Sequence, residues 1–190
     1  DMRALLSASD QATLLSLAHD AIWATVHDEP LPSVDLDSLT PPLREERASF
    51  VTINYAGNLR GCIGTVKKCY PLAQDVILRA SAAASRDPRF PPIRIDELDK
   101  IDIEVSILSD PEPLEYDDPL NLPAALERDH CGVILHFGNK RATFLPQVWE
   151  RVSDSEQFLA LLCRKALLPE NFWRTGKLRF ETYRVESFHR

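Results

Sequence analysis

The sequence has few of the residues and patterns that mark several large classes of protein. Its 190 residues include only four cysteines and six glycines. No apolar run is long enough to cross a membrane, and the N-terminus lacks the basic and apolar parts of a signal peptide. The cysteines are too sparse for a disulfide scaffold and form no Cys-x-x-Cys pair, so we expect reduced thiols in a cytoplasmic protein.

Charge is unevenly distributed along the chain. The net charge of −7 argues against general binding to nucleic acid or to an anionic membrane. Residues 94–118 hold ten acidic and two basic residues, a local charge of −8. Residues 59–94, which we call the basic segment, hold seven basic and two acidic residues, a local charge of +5, with Arg94 counted in both. A basic segment therefore lies within an acidic protein.

Apolar residues recur at helical spacing in three longer segments and one short one. Serine, proline and a capping box supply the helix starts, and Asp87-Pro88 ends the second helix. The first predicted helix runs from Ser7 or Ser9 to about His27, and the second runs from Pro71 to Asp87. A short helix ends at about Arg128, and the last helix begins at the capping box of Ser153 and Glu156.

Alternating polar and apolar residues predict six strands, four of which pair as two hairpins around glycine-containing turns. The strand at residues 101–107 is half solvated, which is most often an antiparallel arrangement. The chain has no internal repeat, and the proline-rich connection at 29–44 lacks the glycine of a flexible domain linker. The predicted strands are 49–55 with 59–65, 131–137 with 141–145, 101–107 and 178–185.

Residues 59–65 hold the candidate site. Read as a strand, this segment projects Arg60 and Cys62 from one face, with Leu59 and Ile63 on the other. A guanidinium beside a thiol favours the thiolate, which is the nucleophilic form of cysteine. The alternative is a buried structural cysteine next to a surface arginine.

The two glycines of this segment, Gly61 and Gly64, are candidate ligand-binding positions. A residue without a side chain leaves room for a ligand or for another backbone to come close. Arg86 and Arg89, on either side of Asp87-Pro88, either bind an anion or pair with the acidic residues of 94–118.

Four segments of the chain resemble hallmarks of the AMMECR-type domain family, in the expected order and over nearly the whole chain. They are Leu59-Arg60-Gly61-Cys62-Ile63-Gly64, Asp87-Pro88-Arg89-Phe90, Val105-Ser106-Ile107-Leu108-Ser109 and Phe144-Leu145-Pro146-Gln147-Val148-Trp149-Glu150. One departure is Leu167, where the family usually has glycine. A left-handed glycine cap is then missing, so we expect the late helix to end differently.

The resemblance, which is to the stand-alone bacterial and archaeal form, implies an α+β fold of mostly antiparallel sheet with flanking helices. It implies one domain over residues 1–190, with two lobes of unequal size and the hallmark facing a cleft between them. It also implies two partners, a Memo-like protein related to non-haem-iron dioxygenases and a radical S-adenosylmethionine protein. The three are commonly encoded together or fused.

Two hypotheses of different class follow. In the first, the chain is a non-catalytic or weakly catalytic partner module that presents a basic, cysteine-bearing cleft to a small anionic ligand or to a partner's active site. The charge of the basic segment, the intact hallmark and the lack of a catalytic triad or phosphate loop favour it. In the second, Cys62 is a nucleophile, Arg60 lowers its pKa or holds an oxyanion, and His130 or His136 is the base.

We expect no cofactor and no resident metal. A metal site would have to draw on Cys62, His130, Cys131 and His136, and these residues lack the spacing of metal ligands.

Overall fold

The computed structural model describes residues 6–190. Within them lie two four-stranded antiparallel sheets with flanking helices, which confirms the predicted α+β fold. The chain divides into two compact units: the first reaches Leu108 and takes in Glu186–Arg190, and the second is Ser109–Val185. The two lobes and the cleft that the resemblance implies stay predictions.

The helices and strands are connected by short loops and by 3-10 turns. In chain order they are α1 (Ala8–Val26), α2 (Pro41–Arg44), β1 (Ser49–Tyr55), β2 (Asn58–Gly64), α3 (Leu72–Ser85), β3 (Ile101–Leu108), β4 (Glu112–Pro113), α4 (Leu122–Glu127), β5 (Gly132–Phe137), β6 (Lys140–Phe144), α5 (Ser155–Lys165), β7 (Arg179–Tyr183) and β8 (Val185–His189).

The first sheet has the strand order β2-β1-β3-β8, so β2 is an edge strand. Helices α1 and α3 cover one face of this sheet, which we call its inner face. Val51, Ile53 and Val105 point inward and are fully buried, as is Ala80 of α3. Small side chains along α3 let the helix come close to the sheet, as its alanine-rich sequence predicts.

The second sheet has the strand order β4-β7-β5-β6 and is covered by α4 and α5. Leu135, Phe180 and Leu162 are buried between sheet and helices. The rings of Trp149 and Phe158 stack with centroids 3.9 Å apart. Each unit therefore has an apolar core of its own.

The predicted helices and hairpins are confirmed, with two corrections. The N-cap of α5 is Asp154, whose carboxylate accepts a hydrogen bond from the Gln157 amide at 2.8 Å, whereas Ser153 donates to the Gln157 side chain. The strand predicted at 178–185 is two strands in different sheets, β7 and β8. The ladder breaks at Arg184, whose amide and carbonyl bond to Ser109 instead.

The end of α5 also differs from expectation. Leu167 adopts the left-handed conformation (φ +62°) in which glycine is usual. The Leu167 amide donates to the Arg164 carbonyl at 3.0 Å, and the Leu168 amide donates to the Cys163 carbonyl at 2.9 Å. These two bonds form a Schellman cap, so the helix keeps the ending that a glycine would provide, at a cost in backbone strain.

Among the described residues, no helix has both the length and the apolar character needed to cross a membrane.

Candidate functional site

A β-bulge in β2 decides which face of the first sheet carries Cys62. The two-residue turn at Ala56 and Gly57 pairs Tyr55 with Asn58, and an unbroken ladder would then place Cys62 opposite the inward-facing Val51. The register instead shifts by one residue, so that Cys62 pairs with Thr52. Arg60 is the extra residue of the bulge.

The bulge turns Cys62 to the outer face of the sheet, away from α1 and α3. Leu59 now pairs with Asn54 and Ile63 with Val51, which are on opposite faces. The prediction that Leu59 and Ile63 share a face is therefore wrong. A period-two reading assumes an unbroken ladder, and the bulge inserts a residue within the motif.

Cys62 lies in a row of side chains that crosses three strands on the outer face. Its Sγ is 3.2 Å from the Thr52 Oγ1, and Thr52 pairs in turn with Glu104 of β3. Cys62 is partly exposed, as are Thr52 and Glu104. The row thus offers a thiol, a hydroxyl and a carboxylate to a ligand on this face.

Asp87 and Arg89 lie along the edge of β2 that pairs with no other strand, beside Cys62. Asp87 follows the end of α3, and its carboxylate accepts a hydrogen bond from the Cys62 backbone amide at 3.0 Å. Arg89 binds the same carboxylate through Nε and Nη2, at 3.0 and 2.8 Å. The Asp87 side chain is only 2% exposed, whereas that of Arg89 is 55% exposed. A buried carboxylate therefore fixes a guanidinium that remains open to solvent.

Hydrogen bonds from Arg89 hold the pKa of Asp87 at about 2, well below its ordinary value, although burial opposes the shift. Bonding to the carboxylate of Asp87 correspondingly raises the pKa of Arg89. Both groups are charged at neutral pH, and the ion pair is a permanent feature of the site.

The Cys62 thiol is not activated. Burial raises its pKa, and the nearby Asp87 and Glu104 carboxylates add to the increase. The Thr52 hydrogen bond and the Arg89 charge act in the opposite direction but do not overcome burial. The expectation of a thiol with a lowered pKa is therefore wrong, and Cys62 is neutral at pH 7.

Arg60 is not the cation that acts on the thiol. Its guanidinium binds the Glu97 carboxylate at 2.9 and 3.0 Å and donates to the carbonyls of Pro91 and Pro92 at 2.7 and 3.1 Å. The Arg60 side chain is only 12% exposed and that of Glu97 only 7%. Arg60 therefore anchors the segment that covers the edge of β2, and the cation that lowers the pKa of Cys62 is Arg89. A catalytic role for Arg60 stays a prediction.

The two glycines of the motif make room for the chain itself. A Cβ at Gly61 would lie 2.2 Å from the Ala83 carbonyl oxygen of α3. A Cβ at Gly64 would lie 2.3 Å from the Ser49 carbonyl oxygen and 2.4 Å from the Phe50 ring. Of the two alternatives that the sequence leaves open, these contacts match the close approach of another part of the protein. A role for either glycine in ligand binding stays a prediction.

Ion pairs neutralise much of the basic segment. They join Arg60 to Glu97, Arg79 to Asp75, Arg89 to Asp87 and Arg94 to Asp96. Arg86 directly follows α3 and is exposed. The charge of +5 therefore does not describe the surroundings of the thiol, on which the guanidinium of Arg89 and the carboxylates of Asp87 and Glu104 act.

Both candidate histidines lie in the second unit and have carboxylate neighbours there. The His130 ring stacks on Trp149, with centroids 4.7 Å apart, and its Nε2 is 3.7 Å from Glu127. The His136 Nε2 is 2.6 Å from the Glu181 carboxylate. A role for either as the base of Cys62 stays a prediction.

Within residues 6–190, no three His, Cys, Asp or Glu side chains are grouped closely enough to hold a metal ion.

Sequence reasoning missed Thr52 and Glu104 as members of the site. Both occupy outward positions in alternating strands that the sequence does show. Their proximity to Cys62 depends on strand register, which the bulge shifts by one residue. No local signal in the sequence marks that shift.

These observations define a two-unit α+β protein with a partly exposed, neutral thiol on the outer face of its first sheet. The AMMECR1 family profile matches residues 15–188, so the chain belongs to the AMMECR1 family.

Similar proteins come from archaea. A protein of Methanothermobacter thermautotrophicus is 39% identical over 188 residues, which is 97% of this chain and 96% of the relative. Protein Ta0236 of Thermoplasma acidophilum is 37% identical over 175 residues, 90% of this chain and 83% of the relative. The crystal structure of uncharacterized protein PH0010 from Pyrococcus horikoshii is similar with a TM-score of 0.85 and 34% identity, covering 93% of this chain and 89% of that one.

Proposed function

We propose that this protein is a binding module that holds an anionic group of a ligand or partner at Arg89, next to the neutral thiol of Cys62. The observation that carries the proposal is the ion pair between buried Asp87 and half-exposed Arg89. Because Asp87 already holds the guanidinium in one orientation, little conformational entropy is lost when a carboxylate or phosphate binds its free side. The neutral thiol favours binding over nucleophilic catalysis.

The charge preference of alkylation at Cys62 tests this proposal. Iodoacetate and iodoacetamide both require the thiolate, so the ratio of their rates isolates the effect of the carboxylate. Arg89→Gln should lower this ratio at Cys62 about fivefold, which corresponds to the loss of about 1 kcal/mol from a charge-assisted contact. Arg89→Lys, which keeps the charge and loses the fork geometry, should lower it less.

Two controls accompany the measurement. Arg94→Gln removes an arginine whose side chain is 68% exposed and paired with Asp96, and it should leave the ratio at Cys62 unchanged. The exposed Cys69 in each variant serves as an internal standard when the sites are mapped by mass spectrometry. An unchanged ratio at Cys62 in Arg89→Gln would contradict the proposal.

We further propose that the module acts with a Memo-like protein and a radical S-adenosylmethionine protein, as the family resemblance implies. Both proteins, taken from the organism that encodes this chain, should bind it in titration calorimetry. Arg89→Gln should weaken at least one of these complexes, and Arg94→Gln should weaken neither. Absence of binding by both proteins to the wild-type chain would refute the partnership.

A further inference from the structure

The charged groups around the Cys62 thiol lie on two sides of it, with the Arg89–Asp87 ion pair at the edge of β2 and the Glu104 carboxylate on β3. Arg89 lies beyond the edge of β2 that pairs with no other strand, and it is held there by Asp87, whose carboxylate accepts a hydrogen bond from the Cys62 amide. Glu104 lies on β3, across β1 from Cys62. The thiol and the Thr52 hydroxyl form an uncharged polar floor between these two ends.

The two carboxylates near the thiol differ in their partners. Asp87 accepts hydrogen bonds from the Cys62 amide, the Arg89 amide and the Arg89 guanidinium. The Glu104 side chain has no hydrogen bond or ion pair within the part of the chain that the structure describes, residues 6–190, and it is partly exposed. Glu104 therefore disfavours a second negative charge on its side of the site and favours an ammonium group.

The sheet geometry sets the length of a ligand that could reach both ends. Neighbouring strands are about 4.8 Å apart, so the backbones of β2 and β3 are separated by about 10 Å. An α-amino acid carries its ammonium and carboxylate on one carbon, so its two charges are much closer together than the backbones of β2 and β3. A dipeptide, at about 3.5 Å per residue, or an ω-amino acid of similar length spans about 7 Å, and the long side chains of Arg89 and Glu104 can cover the remaining distance.

We propose that the site binds a zwitterion of this length, an ω-amino acid or a dipeptide, with its carboxylate on Arg89 and its ammonium on Glu104. The middle of the ligand lies over Cys62 and Thr52, whose thiol and hydroxyl hydrogen-bond to it. The inference rests on the proposed function, which places the anionic group at Arg89, and it adds the class of ligand.

Protection of Cys62 from alkylation by neutral iodoacetamide tests the inference. The probes are 5-aminopentanoate and glycylglycine, compared with glutarate, pentylamine and alanine. We expect 5-aminopentanoate and glycylglycine to half-protect Cys62 at a concentration at least fivefold lower than the other three. Labelling of Cys69 should be unaffected by every probe. This series uses the wild-type chain, so it does not depend on the stability of any variant.

Glu104→Gln should abolish the advantage of 5-aminopentanoate over glutarate. Asp102→Asn, which alters an exposed carboxylate two residues away on the same strand, should preserve it. Equal protection by glutarate and 5-aminopentanoate in the wild-type chain would overturn the zwitterion and leave the proposed anion site intact. If no carboxylate protects Cys62 and Arg89→Gln leaves the iodoacetate preference unchanged, the proposed function itself fails.

Discussion

Replacing Arg60 by alanine separates a structural role from a role at the thiol. The variant would leave Glu97, 7% exposed, without the two hydrogen bonds that Arg60 donates. It would also remove the donor to the carbonyls of Pro91 and Pro92, which lie in the segment along the edge of β2. We therefore expect Arg60→Ala to destabilise the protein strongly.

The size of the effect follows from the ion pair. Hydrogen bonds from Arg60 hold the pKa of Glu97 at about 2, against an ordinary value of about 4.5. At 1.36 kcal/mol per pKa unit, this shift corresponds to about 3 kcal/mol of stability at neutral pH. Breaking a buried ion pair by removing one partner typically costs about 3–5 kcal/mol, which agrees. For a chain of this length, a loss of that size lowers Tm by roughly 6–20 °C.

Thermal and urea unfolding of the variant measure this loss. Arg94→Ala is the matched control, because its pair with Asp96 is exposed on both sides and should contribute little to stability. The Arg60→Ala/Glu97→Ala double variant should be less destabilised than the two single losses together. The pKa of Cys62, followed by alkylation rate against pH, should remain as in the wild type. A loss below 1 kcal/mol with a changed Cys62 pKa would refute the structural role of Arg60 and would show that Arg60 acts on the thiol.

Four other outcomes are expected. Gly61→Ala should destabilise the protein by about 2 kcal/mol in urea unfolding, because its Cβ would lie 2.2 Å from the Ala83 carbonyl oxygen; an unchanged midpoint would contradict this contact. Leu167→Gly should raise stability by about 1 kcal/mol in the same assay, because it relieves the strain of a φ of +62° at a residue that is 82% exposed. A lower midpoint would contradict this expectation. The folded pKa of Asp87 is about 2, below its unfolded value near 3.9. Its contribution of about 2 kcal/mol is therefore complete above about pH 5 and is lost as the pH falls through about 2, so Asp87→Asn should flatten the dependence of stability on pH over this range. Alkylation of Cys62 should show a midpoint above the ordinary thiol pKa of about 8.5, and a lower midpoint would restore the nucleophile hypothesis.

Much of the fold could be predicted because its signals are local. The Ser7 cap and the apolar spacing behind it are sufficient to place α1, and turn residues between alternating strands predict both hairpins. The same signals are weaker at element ends. Asp154 rather than Ser153 caps α5, because capping depends on which side chain reaches the free amides.

The site could be predicted only in part. The motif at 59–64 correctly marks the strand that carries the thiol, and its glycines correctly indicate a close approach of backbone. Its partners could not be read from the motif. Arg89 is held near the thiol by Asp87, which is 25 residues from Cys62 along the chain. Arg60 pairs with Glu97, at a separation of 37 residues.

By itself, the sequence determined where the longer helices and most of the strands form and that a thiol lies in a glycine-containing strand, because periodicity and turn chemistry act between neighbouring residues. Tertiary structure alone decided that Cys62 points outward. A regular hairpin would have turned it toward α3, and one inserted residue at Arg60 reverses the face. This residue is held by the hydrogen bonds that it donates to Glu97, Pro91 and Pro92, which are distant in the sequence. Strand register is set by such long-range contacts, and these exist only once the chain has folded.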